Sequence, residues 1–132
     1  SDGDSDMRSI VDRANKGDSK AILAMDMFVY ILAKFIASMC VPVMFGGGGM
    51  DALVFTAGIG ENSPIIRKKT LDLLSPLLHV KLDDERNCSN GKYSNGVISE
   101  ENGANRNAPL VLVIGTDEEA MICQESIALV CN

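Results

Sequence analysis

Paired metal ligands are what this sequence most plainly lacks. It holds one histidine, His79, and four cysteines, Cys40, Cys88, Cys123 and Cys131. No CxxC pair occurs and no cysteine shares a ligand-like spacing with His79, which argues against a zinc site. Cys40 and Cys123 lie in apolar stretches and read as buried thiols, so the expectation is a reduced, cytoplasmic protein. Basic residues are also few: Lys and Arg total 12 against 18 Asp and Glu, a formal net charge of −6. Nucleic acid is therefore not expected as the main partner, because phosphate contacts need clustered cations. The one basic run, Arg67-Lys68-Lys69, is short and reads as a solvated helix face. No signal peptide leads the chain and no Met begins it; the opening SDGDSDMR reads as the interior of a longer protein.

The 132 residues are 46% hydrophobic and 23% charged, an ordinary globular composition for one domain at most. One apolar stretch, Met27 to Phe45, is about long enough to span a bilayer. Lys34 at its centre would cost roughly 2.5–3.5 kcal/mol there, Asp26 precedes it and Pro42 interrupts it. A buried helix is expected, with no membrane. Ser5 or Asp6 caps a first short helix that runs to about Lys16 and stops at Gly17. Asp18 or Ser19 starts the longer one, to about Cys40. Ile22, Met25, Phe28, Leu32, Phe35 and Met39 form its apolar stripe, widened by Val29, Ile31 and Ile36. Such width predicts packing against two layers or against a second subunit. Gly46 to Gly49 is a link.

The most informative stretch is ALVFTAGIGENSPIIRKK at Ala52–Lys69. An apolar strand, Ala52 to Ala57, ends in Gly58-Ile59-Gly60. Ser63 suits the N-cap of the next helix and Pro64 its first position, where a missing N–H costs nothing. Glycines just ahead of a helix N-terminus let backbone approach an anion that the helix dipole favours. A nucleotide is the natural occupant. That helix is expected to end at Ser75-Pro76, before a short strand near His79–Leu82. A polar loop at Asp83–Asn95, a short strand at Val97–Ser99 and a second polar loop at Glu100–Asn107 follow. Pro109–Gly115, PLVLVIG, reads as a strand covered on both faces. It runs into a final helix at Thr116-Asp117-Glu118-Glu119, a capping box. Two strand-to-helix units indicate an α/β layered fold. An acid at the carboxyl end of a buried strand can also hold Mg²⁺ beside phosphate. A dinucleotide fold competes: Gly58 and Gly60 supply two glycines of GxGxxG, Ser63 replaces the third, and Asp83 lies near the ribose-acid position. The residues alone leave the two nucleotide readings even.

DALVFTAGIGENS at Asp51–Ser63, SDMRSI at Ser5–Ile10, IGTDEE at Ile114–Glu119 and LDDERN at Leu82–Asn87 together resemble acetate kinase, of the acetokinase family. The resemblance is assigned to the C-terminal third of the chain. It implies part of an actin-like, ribonuclease-H-like ATPase domain of the acetate and sugar kinase superfamily, with parallel strands covered by helices. On that basis residues 1–132 are the C-terminal part of a nucleotide-binding domain, without the acetate-binding portion. The family transfers a phosphoryl group between ATP and acetate, giving ADP and acetyl phosphate, with Mg²⁺. By resemblance, Gly58, Ile59, Gly60, Glu61 and Asn62 line the nucleotide site, Asp6 and Arg8 contact the nucleotide, and Glu118 serves the metal. No catalytic residue is expected in this stretch. The acetate pocket, the catalytic arginines and an HxGNG loop belong to the preceding part of such enzymes, so the 132 residues alone should be inactive. A homodimer is implied, with the long helix as a candidate contact. Gly115 stands where family members usually have Pro. Alternatives are a non-catalytic nucleotide-binding or dimerisation module, and a propionate or butyrate kinase fragment.

Overall fold

A computed structural model of the protein describes residues 2–46, 48–101 and 108–116. Its elements are α1 (Asp2–Asn15), α2 (Ser19–Phe45), β1 (Ala52–Thr56), α3 (Ala57–Asn62), α4 (Pro64–Leu78), α5 (Asp84–Cys88) and β2 (Leu110–Ile114). Gly17, at φ 88°, reverses the chain between α1 and α2, a backbone angle that glycine adopts without penalty. Asp18 then caps α2. Its Oδ1 accepts from the amides of Lys20 and Ala21 at 3.0 and 3.3 Å, while Oδ2 accepts from Arg13 Nε and Nη2 at 2.9 and 2.7 Å.

Several expected boundaries move. α1 begins at Asp2, so Ser5 and Asp6 lie within it and do not cap it. α2 runs past Cys40 to Phe45 and α4 past Ser75 to Leu78, carrying Pro42 and Pro76 inside. Both prolines sit in a last turn, where one forfeited N–H breaks no following turn. The Asp83–Asn95 loop contains α5, capped by Asp83 accepting from the Arg86 amide at 3.0 Å. The two short strands expected near His79–Leu82 and Val97–Ser99 reduce to single antiparallel bridges, Leu82 to Ser99 and Val97 to Leu112.

β1 and β2 pair in parallel, Thr56 opposite Ile114, so their carboxyl ends finish level. Leu53, Phe55, Val111 and Val113 share the face on which α2 and α4 pack, with Leu71, Leu74, Leu78 and Ile98 in the same core. On the other face Val54, Leu110 and Ile114 are exposed. Helices thus cover the sheet on one face among the described residues, where cover on both faces of β2 was expected. A second core joins Met7, Ala14, Ala21, Met25, Val29 and Ile66, tying the α1–α2 hairpin to α4.

α2 is long and apolar enough to pass for a membrane span by length and composition. Its placement is that of a packed helix: it buries Ala21, Met25, Val29, Ala33 and Cys40 against α1 and α4. Lys69 of α4 bridges to Asp26 at 2.8 Å. The buried stripe is not the expected one. Ile22, Phe35 and Met39 are exposed, and of the six predicted residues only Met25 is buried. Burial follows the small residues because two alanines let the helix axes approach. Cys40 is a free buried thiol, as expected, and burial raises its pKa; Cys123 lies outside the described residues.

The Arg13 side chain, with the Ala21 and Lys20 amides, holds the Asp18 carboxyl below the usual aspartate pKa. A depressed folded-state value stabilises above the unfolded pKa and is lost as pH falls through the folded one. Asp18→Ala should therefore lower the thermal midpoint at neutral pH. The gap between wild type and variant should close below about pH 4, which thermal melts across a pH series would measure.

Candidate functional site

The chain leaves β1 through a sharp bend. Ala57 takes φ 56°, and Gly58 takes φ 23° with ψ −106°, an angle pair that L side chains rarely adopt. Strand therefore stops at Thr56, and the glycine segment winds into the kinked helix α3 where a plain turn was expected. Asn62 closes the kink, its Nδ2 donating to Gly58 O at 2.9 Å. Ile59 packs into the α1–α2 core and so lays α1 across the bend. Between them lies a cleft of about 280 Å³ lined by Met7, Arg8, Val11, Asp12, Gly58, Ile59, Asn62 and Ser63.

Four of the expected nucleotide-binding residues, Arg8, Gly58, Ile59 and Asn62, meet in this cleft; Asp6, Gly60 and Glu61 do not line it. Asp6 and Arg8 are two apart on a continuous helix, hence on different faces, whereas Arg8 and Asp12 are four apart and share one. Gly60 faces inward: a Cβ there would meet Phe55 at 3.7 Å. Glu61 reaches the end of β2, where a Cβ on Gly115 would lie 3.0 Å from its Oε1. Glu118 lies outside the described residues, as does the rest of the expected final helix beyond Thr116.

Ser63 is the N-cap of α4, with Pro64 behind it, but its side chain makes no capping hydrogen bond. Ser63 lines the cleft beside Arg8, so the start of α4, where helix amides lack intrahelical partners, adjoins it. A helix start next to a guanidinium suits a phosphate. No group of three or more His, Cys, Asp or Glu able to hold a metal ion occurs among the described residues.

Sequence reasoning missed Asp12 and, more seriously, Arg67. The basic run divides: Lys68 and Lys69 form partly exposed pairs with Asp84 and Asp26, but Arg67 is fully buried. Its guanidinium binds the backbone of the glycine segment and the side chains of Asn87 and Asn90. The available signal was position: Arg67 follows Ile66 on the helix face that carries Thr70, Leu71 and Leu74 inward.

The acetokinase family profile matches residues 1–124. This chain belongs to the acetokinase family. The likeness is not confined to a C-terminal third of the chain but runs along almost all of it. The acetate kinase of Carboxydothermus hydrogenoformans is 42% identical over 98% of this acetokinase-family chain and 30% of its own length. The acetate kinase of Porphyromonas gingivalis superposes with a TM-score of 0.73 at 31% identity, over 94% of this chain and 29% of that one. A propionate kinase from Francisella tularensis gives 0.71 at 39% identity, over 90% and 27%. The fold is accordingly α/β, with parallel strands covered by helices, as in the actin-like acetate and sugar kinases. The chain spans about 30% of the length of the curated relatives it matches. Family membership makes it a phosphotransferase-type sequence.

The bend predicts a clear contrast between its glycines. Gly58→Ala should destabilise by about 1–3 kcal/mol, the usual cost of forcing a side chain into such a conformation. Gly60→Ala places its Cβ in ordinary contact and should change stability by less than about 1 kcal/mol. Urea unfolding of the two variants would measure both.

Proposed function

We propose that this chain supplies part of the ATP and Mg²⁺ site of an acetate-kinase-like phosphotransferase. In the complete enzyme the reaction would be ATP + acetate = ADP + acetyl phosphate. The observation that carries the reading is the cleft in which Arg8 faces the Gly58 kink and the uncapped start of α4. A guanidinium and a helix start beside one small cavity suit a nucleotide's phosphates. Ile59 and Asn62 shape the same wall. Gly60 and Glu61 act from behind it, Glu61 reaching toward the end of β2. Asp6 would contact the nucleotide only from the outer face of α1. Glu118 is assigned to Mg²⁺ by family resemblance. Phosphoryl transfer relies on positioning and charge neutralisation, and the acyl-activating groups are not among these residues, so turnover requires the rest of the enzyme. Acetate and propionate kinases align with the chain similarly well, which supports a short carboxylate as the acyl substrate. We take the compartment to be cytoplasmic.

Calorimetric titration tests the site directly. The chain should bind Mg·ADP in preference to NAD, and Arg8→Ala should weaken ADP about tenfold while leaving adenosine unchanged. Tighter binding of NAD than of ADP would reject the proposal. In the complete enzyme, Glu118→Ala should lose Mg²⁺-dependent turnover; full activity would refute the metal assignment.

The dimer reading has its own observation. Leu23, Met27, Ile31, Phe35 and Met39 recur every four residues along α2 and are 49–67% exposed. A continuous stripe of large apolar side chains fits a second subunit, here the same helix of a partner copy. Phe35→Glu combined with Met39→Glu should convert a dimer to a monomer in sedimentation, with helix content unchanged. A persistent dimer would move the interface elsewhere.

A further inference from the structure

Arg67 has no solvent exposure, and a guanidinium carries five N–H donors. Every one is used. Nε donates to Asn87 Oδ1 at 2.8 Å; Nη2 donates to Asn87 O at 2.8 Å and Asn90 Oδ1 at 2.6 Å; Nη1 donates to Gly60 O at 2.9 Å and Glu61 O at 3.0 Å. The Asn87 amide is itself fixed, its Nδ2 donating to Pro64 O at 2.9 Å. All five acceptors are neutral oxygens, and no ion pair to Arg67 occurs among the described residues. Burial lowers its pKa to about 10, so it stays charged at neutral pH.

We infer that Arg67 is the positioning residue of the glycine bend, tying the Gly60 and Glu61 carbonyls to Asn87 and Asn90 and so fixing the wall the bend presents to a nucleotide. The inference rests on the nucleotide reading for its functional consequence, but not for its structural one. Gly58 allows the bend without defining it, because the same freedom lets glycine adopt other angles. Definition comes from the two carbonyls that Nη1 grips from within, two and three residues after Gly58. A lysine cannot replace this. Its single nitrogen reaches one point, whereas the guanidinium spans three segments at once. Arg67 touches neither the cleft nor a substrate and acts only through the backbone of α3.

The test uses the whole 132-residue chain and two variants. Arg67→Lys keeps the charge and loses the fork. Asn90→Gly removes one acceptor while keeping a residue suited to the left-handed backbone there, at φ 56°. Amide hydrogen exchange without nucleotide should quicken at Ile59–Asn62 in Arg67→Lys, and less in Asn90→Gly, while Met25–Ala33 in α2 is unchanged. Mg·ADP affinity should fall about tenfold in Arg67→Lys, the size of one lost charged hydrogen bond. Unchanged exchange at the bend in a folded Arg67→Lys would overturn the inference, and so would uniform quickening across the chain. If Arg67→Lys does not fold, quicker exchange at the bend in Asn90→Gly supports the inference and its absence rejects it. Failure of the wild-type chain to bind Mg·ADP would instead sink the nucleotide reading, with the exchange data still deciding the role of Arg67 in the bend.

Discussion

Burying a guanidinium with no carboxylate beside it costs several kcal/mol unless its donors are filled, and that requirement organises this protein. Residues 60–61, 67 and 87–90 must all be in place before Arg67 is satisfied. The supports extend further. Asn90 and Gly91 both have positive φ, and Gly91 lies so close to Gly96 that a Cβ would come within 2.7 Å of its carbonyl. Gly96 in turn accepts from the Val113 amide at 2.8 Å, and a Cβ on it would meet Val113 O at 2.7 Å. The segment 87–90, which supplies three of the five acceptors, is therefore fastened to β2. One polar cluster links the bend after the first strand to the flank of the second, with no long side chain other than Arg67 itself.

The apolar side of the structure follows a different rule. α2 is hydrophobic around most of its circumference, yet it buries Ala21, Met25, Val29 and Ala33 and leaves Leu23, Met27, Ile31, Phe35 and Met39 in solvent. The two sets both repeat every four residues and are offset by two, which places them on opposite sides. Ala21 and Ala33, with Met25 and Val29, face the intramolecular contact, where α1 and α4 come close. The outward set is made of large side chains, where burial by a partner would remove the most apolar area from water. A single helix can thus belong to the core and to an interface without compromise between them.

This division explains what the sequence could and could not disclose. The three long helices, the Asp18 cap, the turn at Gly17, both strands and the Ser63-Pro64 helix start were readable because each depends on local chemistry. The choice of stripe on α2 was not, since periodicity gives no contrast on a helix that is apolar nearly all round. Arg67 was misread for a related reason. Composition assigns a charge beside two lysines to solvent, and only long-range acceptors at 87 and 90 make its burial tolerable. Pro42 and Pro76 marked helix ends correctly to within a turn, as last-turn prolines do. In the site, the glycine bend was legible while the orientation of Gly60 and Glu61 was not, because α3 coils where an open turn was expected.

The parallel register gives that coil its consequence. With Thr56 opposite Ile114, the residues after both strands emerge at one level, the edge where open α/β sheets bind ligands. Glu61 crosses that edge to Gly115, and its carboxylate occupies the space a side chain at 115 would need. Any side chain at 115 would press on the Glu61 carboxylate, because its Cβ would lie 3.0 Å from Oε1. Glycine at 115 therefore lets Glu61 lie across the end of β2. The acid of the glycine motif thus reaches from the end of one strand to the end of the other, a level edge that two strands paired in parallel provide and an antiparallel pair would not.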